Sequence, residues 1–167
     1  MNAHVPLPLD PAEDANGFRG ALGSFVTGIT VVTTQSDDGP VAIVANSFAS
    51  VSLDPPLVLW SPAKSSRRFP YFAGAPSFAI HVLAADQRDV CAAIVGSMTA
   101  ISDIPMQRSP CGMPIIDGAL ATFECDLETT YDAGDHVIVV GRVTKAHHRR
   151  GDPLVFHGGT YGQFQQT

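Results

Sequence analysis

Residues 44–59 read VANSFASVSLDPPLVL, a stretch that mixes strand-forming residues with small polar ones and closes on two prolines. A core strand shows either a continuous apolar run or strict alternation, and this stretch shows neither. Polar side chains in an apolar context are costly to bury unless they bond nearby backbone or receive a ligand. The stretch alone leaves two interpretations open, a polar β-turn region and the wall of a ligand site.

Closely spaced strands surround this stretch and indicate the fold class. Residues 29–34 are β-branched throughout, a turn follows at 37–40, and 41–45 returns as the second strand of a hairpin. Further strands are predicted at 57–60, 77–83, 119–131, 136–145 and 154–157. Seven short strands without a β-α-β rhythm predict a mainly β protein, an antiparallel barrel with flanking helices.

Three helices are predicted around the barrel. The first runs over 14–27, with Phe18, Leu22, Phe25 and Val26 on one face and Gly28 after its end. A short one is predicted at 67–73, and a third runs over 87–95 with Asp86 as its N-cap. Residues 96–118 have no clear period and are predicted to be a long loop. Residues 1–13, rich in proline, are predicted to be an extended arm before a single domain over 14–167.

Alternation within the strand at 119–131 predicts one face in the core and one in water. Phe123 and Cys125 point one way, while Glu124 and Glu128 point the other and are expected to be solubilising. The pair at 147–148, two histidines, is expected in a solvated turn.

Composition narrows the classes of partner and compartment. The formal net charge of −6 argues against nucleic acid as a partner. No apolar run approaches the ~20 residues of a membrane helix, and the N-terminus lacks the pattern of a signal peptide. We therefore expect a cytoplasmic, soluble protein. Only 16% of the residues are charged, which favours an oligomer. Cys91, Cys111 and Cys125 lack disulfide or zinc spacing, so we expect reduced, packed thiols and no metal.

Two short motifs carry candidate chemistry. Residues 64–68, Lys-Ser-Ser-Arg-Arg, combine hydroxyls and positive charge before a predicted helix, which suits an anion such as phosphate; an ordinary serine cap is the alternative. Residues 134–136, Gly-Asp-His, put a histidine at a strand entry, where it serves a ligand or bonds neighbouring backbone. Neither a phosphate-binding GxxxxGK[ST] loop nor a dinucleotide-binding GxGxxG is present.

The order of these motifs resembles the flavin reductase-like family, the small reductase components of two-component flavin-dependent monooxygenases. The resemblance lies in Phe18-Arg19, the strand at 28–33, Ala45-Asn46-Ser47-Phe48, the run at 50–57, the motif at 64–67, the strand at 78–83, and the motifs at 117–119, 134–136 and 161–162. It implies an FMN-binding split barrel of Greek-key type, a homodimer that binds FMN or FAD near its subunit interface.

The resemblance also implies roles for individual residues. The implied cofactor-binding residues are Ala45, Asn46, Ser47, Phe48, Ser50, Ser52, Lys64, Ser65, Ser66, Arg67 and Tyr161. Those at 46–48 and 52 would lie along the flavin ring and ribityl chain, and those at 65–67 would hold the phosphate. His136, the implied catalytic residue, would lie near the nicotinamide of NADH or NADPH as an orienting donor.

The predicted function is that of an NAD(P)H:flavin oxidoreductase, with hydride passing from nicotinamide C4 to flavin N5 and reduced flavin passing to a transient oxygenase partner. The protein would contribute alignment and electrostatics. The alternatives are a flavin-binding barrel without productive NAD(P)H oxidation and a purely structural dimeric barrel.

Overall fold

A computed structural model describes residues 8–165 of the chain. The helices are α1 (Ala15–Gly23), α2 (Phe69–Ala73) and α3 (Arg88–Gly96), and 3-10 helices cover Ala85–Gln87 and Ala100–Asp103. The strands are β1 (Thr27–Gly28), β2 (Thr30–Ser36), β3 (Gly39–Ala45), β4 (Ala49–Leu53), β5 (Pro56–Trp60), β6 (Ser77–Val82), β7 (Met106–Arg108), β8 (Pro114–Ile116), β9 (Ala121–Ala133), β10 (His136–His148), β11 (Leu154–His157) and β12 (Thr160–Gln163).

Seven of these strands form one antiparallel sheet in the order β3-β2-β6-β9-β10-β5-β4. Laid flat at about 4.8 Å per strand, its edge strands β3 and β4 would lie about 29 Å apart. Residues 46–48 are all that connects these two strands, and such a connection spans at most about 14 Å. The sheet must therefore curl until its edges approach. No strand pairing joins β3 to β4 in the described part of the chain, so the barrel is split.

The curled sheet has a different core on each face. Its inner face encloses Trp60, Phe78, Ile80 and other apolar side chains from β2, β3, β5, β6, β9 and β10, with Phe72 of α2. Its outer face packs against α3, which contributes Cys91 and Ile94. Alternation along each strand assigns neighbouring residues to the two cores. The predicted mainly β class, the antiparallel barrel and its flanking helices are confirmed.

Two smaller sheets complete the fold. One has the order β1-β11-β12, and the other is the hairpin β7–β8. The hairpin lies within 96–118, so the prediction of a long loop there is wrong. Its strands have three residues each, too few to show the alternation by which a strand is predicted.

The three predicted helices are present at about the predicted positions, but their bounds and the predicted N-cap differ. Helix α1 ends at Gly23 rather than 27, and none of its residues is buried in the chain. Helix α3 follows a 3-10 turn that contains Asp86, so Asp86 is not its N-cap, and Gln87 at that position makes no side-chain capping bond. The arm predicted over 1–13 lies partly outside the described residues, and it stays a prediction together with the 14–167 boundary.

Three predictions about individual residues are wrong, the first because a tertiary contact overrides the local pattern. Glu124 is buried, since the segment containing β7 and β8 lies against its face of β9 and brings Cys111 within 3.7 Å of its carboxylate. Cys111 is itself exposed rather than packed, while Cys91 and Cys125 are buried. His147 and His148 belong to strand β10 rather than to a turn. No helix within residues 8–165 is long and apolar enough to span a membrane.

Candidate functional site

The candidate site is a cavity of about 350 Å³ beside the connection that closes the barrel. Such a volume lies at the lower end of the range of about 300–1,000 Å³ for small-molecule sites. The end of β3 and the connection supply one wall, and the end of β5 with the loop after it supplies the next. Helix α3 and the first residue of β10 complete it. The lining residues are Ile43, Val44, Ala45, Asn46, Ser47, Trp60, Ser61, Pro62, Ala63, Ser66, Arg68, Ile94, Val95 and His136.

Ser47 fastens the barrel-closing connection to the loop after β5. Its hydroxyl accepts a hydrogen bond from Ser61 N at 2.9 Å and lies 3.3 Å from Ser61 O, to which it donates. These two bonds hold residues 46–48 against the loop. The polar residues of the opening stretch are therefore partly structural, and they also line a cavity.

Trp60 supplies the inner wall at the end of β5. Its side chain is fully buried, and its ring meets Phe72 edge-on with centroids 5.2 Å apart. The indole Nε1 is buried and has no hydrogen-bond partner within residues 8–165. A buried N–H without a partner costs about 1–3 kcal/mol, so a cavity-lining residue carries an unsatisfied donor.

Arg68 supplies positive charge to the cavity. Its guanidinium donates to Ile94 O and, at 2.8 Å, to Ser97 O, at the C-terminal end of α3. Its Nε is buried, with no hydrogen-bond partner in the part of the chain that the structure describes. Burial, and then repulsion from Arg67, lowers the pKa of Arg68 from its ordinary value. An anion bound in the cavity would favour the charged form of Arg68 and so oppose the effects of burial and of repulsion from Arg67.

His136, which follows the turn between β9 and β10, forms the fourth wall, and Asp135 lies next to it outside the cavity lining. His136 Nδ1 lies 2.8 Å from Asp135 Oδ1, and this hydrogen bond, followed by the charge of His136, lowers the pKa of Asp135. With Nδ1 engaged, Nε2 is the ring atom left for a ligand. The histidine side chain is 42% exposed.

The cavity gathers five of the twelve predicted site residues: Ala45, Asn46, Ser47, Ser66 and His136. The remaining seven do not line it. Phe48 points into the barrel, where it stacks on Phe123 with centroids 5.6 Å apart. Ser50 and Ser52 lie on β4, paired with Val58 and Leu57 of β5.

The other predicted residues lie beside the cavity or away from it. Ser65 and Arg67 are exposed on the loop before α2, and Lys64 is bound to the β9–β10 turn. Tyr161 lies on β12 with its hydroxyl 3.2 Å from Cys91 Sγ, a hydrogen bond that raises the pKa of Tyr161. Cys91 is about one helical turn before Ile94 of the cavity wall, so Tyr161 contacts α3 one turn away from the cavity and does not line it.

The predicted site residues did not include several that line the cavity, chiefly Trp60, Ile94 and Val95, and they included Arg67 rather than Arg68 of the basic motif at 64–68. Trp60 is the only tryptophan and comes directly before the loop, a position that could have indicated a flat apolar wall. Ile94 and Val95 carry no local signal, because only tertiary packing brings the end of α3 to the cavity.

The fold and the site together define a class: a split β-barrel with a cavity lined by apolar side chains and by the polar or basic residues Asn46, Ser66, Arg68 and His136. The family described as "Flavin reductase like domain" matches residues 22–165. The chain belongs to this family, which confirms the resemblance in its sequence.

Individual relatives agree with that assignment. The FMN reductase (NADH) SmoA of Agrobacterium fabrum is 52% identical over 165 residues, covering 99% of this chain and 94% of the relative. The reductase subunit HsaB of a flavin-dependent monooxygenase from Rhodococcus jostii is 41% identical, covering 90% and 78%. The solved structure of the NADH:FAD oxidoreductase SgcE6 of Streptomyces globisporus superposes with a TM-score of 0.90 at 32% identity, covering 98% and 99%.

Proposed function

We propose that this chain is an NADH-dependent flavin reductase that supplies reduced flavin to a partner monooxygenase. The observation that carries the proposal is the cavity that brings residues 45–47, Ser66, Arg68 and His136 together. The names of the relatives support it: SmoA is an FMN reductase that uses NADH, HsaB is a monooxygenase reductase subunit, and SgcE6 is an NADH:FAD oxidoreductase.

The residues of the cavity fit a flavin. Four buried side-chain polar atoms lack partners in the described part of the chain, and two of them, Trp60 Nε1 and Arg68 Nε, belong to residues that line the cavity. Ile43 and Val95 add apolar surface for a flat ring. Arg68, with the hydroxyl of Ser66, offers donors to a phosphate-bearing tail. A bound flavin supplies the hydride acceptor, and the nicotinamide supplies the donor.

The chain's own residues act by positioning and by charge. Asn46 and Ser47 would hold the flavin against the barrel wall, with Ser47 already fixed by Ser61. His136, oriented by Asp135, would donate to or accept from the nicotinamide side of the stacked pair. No covalent intermediate with the protein is needed, so alignment is the main contribution.

The test is steady-state oxidation of NADH by the purified chain with added flavin. We expect NADH consumption that depends on FMN or FAD, with NADPH a poorer donor than NADH. A flavin-binding barrel of the alternative class would bind flavin, detected by quenching of its fluorescence, without consuming either nicotinamide. That second result would overturn the proposed activity and leave the cavity as a binding site.

We also propose a homodimer, on the basis of uncovered apolar surface. Helix α1 buries none of its residues: Leu22 within it is 60% exposed, and Phe25 just after it is 77% exposed. Strand β4 is an unpaired sheet edge with Leu53 96% exposed. Light scattering behind size-exclusion chromatography should give twice the mass of the chain, and a monomer at micromolar concentration would contradict the proposal. An oxygenase would then meet the dimer transiently, through release of reduced flavin.

A further inference from the structure

Two backbone hydrogen bonds join the loop after β5 to the β9–β10 turn. Val137 N donates to Pro62 O at 3.2 Å, and Lys64 N donates to Asp135 O at 2.9 Å. The two residues of the turn that make these bonds, Asp135 and Val137, flank His136. The flavin side of the cavity is thus connected to the strand entry that carries the histidine.

The side chain of Lys64 adds a third connection, to the tip of the same turn. Its Nζ donates to Gly134 O at 2.6 Å and forms an ion pair with Asp132. Lysine has three N–H donors, and two are directed at these acceptors. The sequence had predicted Lys64 as a cofactor-binding residue, yet its ammonium group is engaged by the turn.

This connection bears on His136 through the peptide between Gly134 and Asp135. Gly134 has φ +65°, a left-handed conformation that glycine adopts readily and leaves readily. Fixing Gly134 O restricts the peptide that leads to Asp135, and the Asp135 carboxylate in turn holds His136 Nδ1. The contacts form one chain from the loop after β5 to the imidazole.

We propose that Lys64 is a positioning residue for His136, which holds the nicotinamide-side histidine at a fixed place relative to the flavin-side loop. The inference rests on the proposed reductase function. It assigns Lys64 to alignment rather than to the flavin phosphate, and it implies that loss of its side chain affects hydride transfer more than flavin affinity.

The structure also indicates that Lys64 variants will fold. The Lys64 side chain is 36% exposed and Asp132 is 79% exposed, and exposed ion pairs contribute little to stability. Lys64→Met removes the ammonium group at similar length, and Lys64→Arg keeps a donor. Lys145→Met is the matched control, because Lys145 lies on the same strand as His136 but pairs loosely with Glu124, 4.0 Å away.

The experiment compares single-turnover flavin reduction by NADH with flavin affinity, using FMN and riboflavin, which lacks the phosphate. For Lys64→Met we expect the reduction rate to fall about tenfold with both flavins, while the dissociation constants change less than about threefold. Lys64→Arg should recover most of the rate, and Lys145→Met should match the wild type. Amide hydrogen exchange at 132–137 should become faster in Lys64→Met without any ligand.

Two results would overturn the inference. If Lys64→Met weakens FMN binding about tenfold and leaves riboflavin binding and reduction unchanged, Lys64 is a phosphate ligand. If neither rate nor exchange changes, the side chain positions nothing. Failure of the proposed function is a separate outcome, because the wild type itself would then not reduce flavin, while the exchange measurement would still report on the turn.

Discussion

Arg68 is a cavity-lining residue whose hydrogen-bonding capacity is only partly used within residues 8–165. Its guanidinium donates to Ile94 O and Ser97 O at the C-terminal end of α3, and its buried Nε has no partner there. A partly buried guanidinium beside a cavity is suited to bind an anion, and charge-assisted hydrogen bonds are about twice as strong as neutral ones. Arg67, its neighbour in sequence, is exposed.

Replacing each of these two arginines separately with alanine distinguishes their contributions to flavin binding. We expect Arg68→Ala to raise the dissociation constant of FMN by about tenfold, equivalent to about 1.4 kcal/mol, because it removes the cation in the wall. Arg67→Ala should change it less than about threefold. Fluorescence titration of FMN measures both, and a larger effect of Arg67→Ala would show that the sequence-based choice was right.

His136 is the second residue with a specific expectation. We expect His136→Ala to slow hydride transfer by about tenfold or more, because an orienting contact to the nicotinamide is lost, while flavin affinity changes little. Stopped-flow reduction at saturating flavin gives the rate, and fluorescence titration gives the affinity. Lost flavin binding with an unchanged reduction rate would contradict the role of His136.

Single residues were predictable where a motif points at the site. Asn46, Ser47, Ser66 and His136 were predicted and line the cavity. The choice between Arg67 and Arg68 was not predictable, because side-chain direction depends on how the loop enters α2. Lys64 shows the same limit: a basic residue beside two serines suggests an anion, and only the fold reveals the turn that engages it.

At the scale of elements, the β9–β10 hairpin organises the molecule. Each strand has 13 residues, and the turn at one end places His136 at the cavity. Register shifts occur beside Gly141 and beyond Val143, which increases the local twist of the hairpin as the sheet curls. At Gly141 an added Cβ would lie 2.6 Å from Phe78 Cζ and 2.9 Å from Cys125 Cβ.

This close approach predicts the effect of the smallest possible substitution. Gly141→Ala should destabilise the protein by about 1–3 kcal/mol, because both neighbours belong to the barrel interior and overpacking forces them to shift. Gly28→Ala, in strand β1 with open space around it, is the control and should stay within about 0.5 kcal/mol. Urea denaturation compares the two, and equal midpoints would show that the interior accommodates the methyl group.

Elements were predictable where they are long or strongly patterned. The β-branched run at 29–34 and the turn after it led to the correct hairpin, whose first strand is Thr30–Ser36, and the strand at Leu154–His157 was predicted with its observed bounds. The prediction of a long loop over 96–118 was wrong, and this error led to a second one. Because β7 and β8 are too short to recognise, nothing in the sequence indicated that this segment approaches Glu124 and removes it from water.

For the whole molecule, a buried histidine links folding to pH. His81 is fully buried on β6, its Nδ1 lies 3.0 Å from Val31 O, and burial lowers its pKa to about 4. The unfolded chain binds a proton near the ordinary value of 6.5, and the folded chain does not until about 4. Stability is therefore greatest above pH 6.5 and falls between 6.5 and 4.

The size of this pH effect follows from the separation of the two pKa values. It contributes on the order of 3 kcal/mol across that window, at about 1.4 kcal/mol per unit. We expect urea denaturation at several pH values to show a flatter pH dependence for His81→Gln than for the wild type. His148→Gln, which removes an exposed histidine, is the control. Parallel curves for His81→Gln and the wild type would show that His81 does not cause the acid sensitivity.

The curled shape of the main sheet depends on the stretch at 44–59. Its first residues end one edge strand and residues 49–53 form the other, so residues 46–48 are the connection that forces the sheet to curl, and two of them, Asn46 and Ser47, also line the cavity. The sequence left a polar β-turn region and a ligand wall as alternatives, and in the fold the segment both connects the edge strands and lines a cavity.

The measurement that tests the central claim most directly is anaerobic reduction of flavin by NADH in a single turnover. The purified chain is mixed with one equivalent of FMN or FAD and then with NADH in a stopped-flow spectrophotometer. We expect the visible band of the oxidised flavin to disappear with one NADH consumed per flavin, and more slowly when the transferred hydrogen of NADH is deuterium. A band that persists with both flavins, under conditions where flavin is bound, would contradict the assignment of this cavity to flavin reduction.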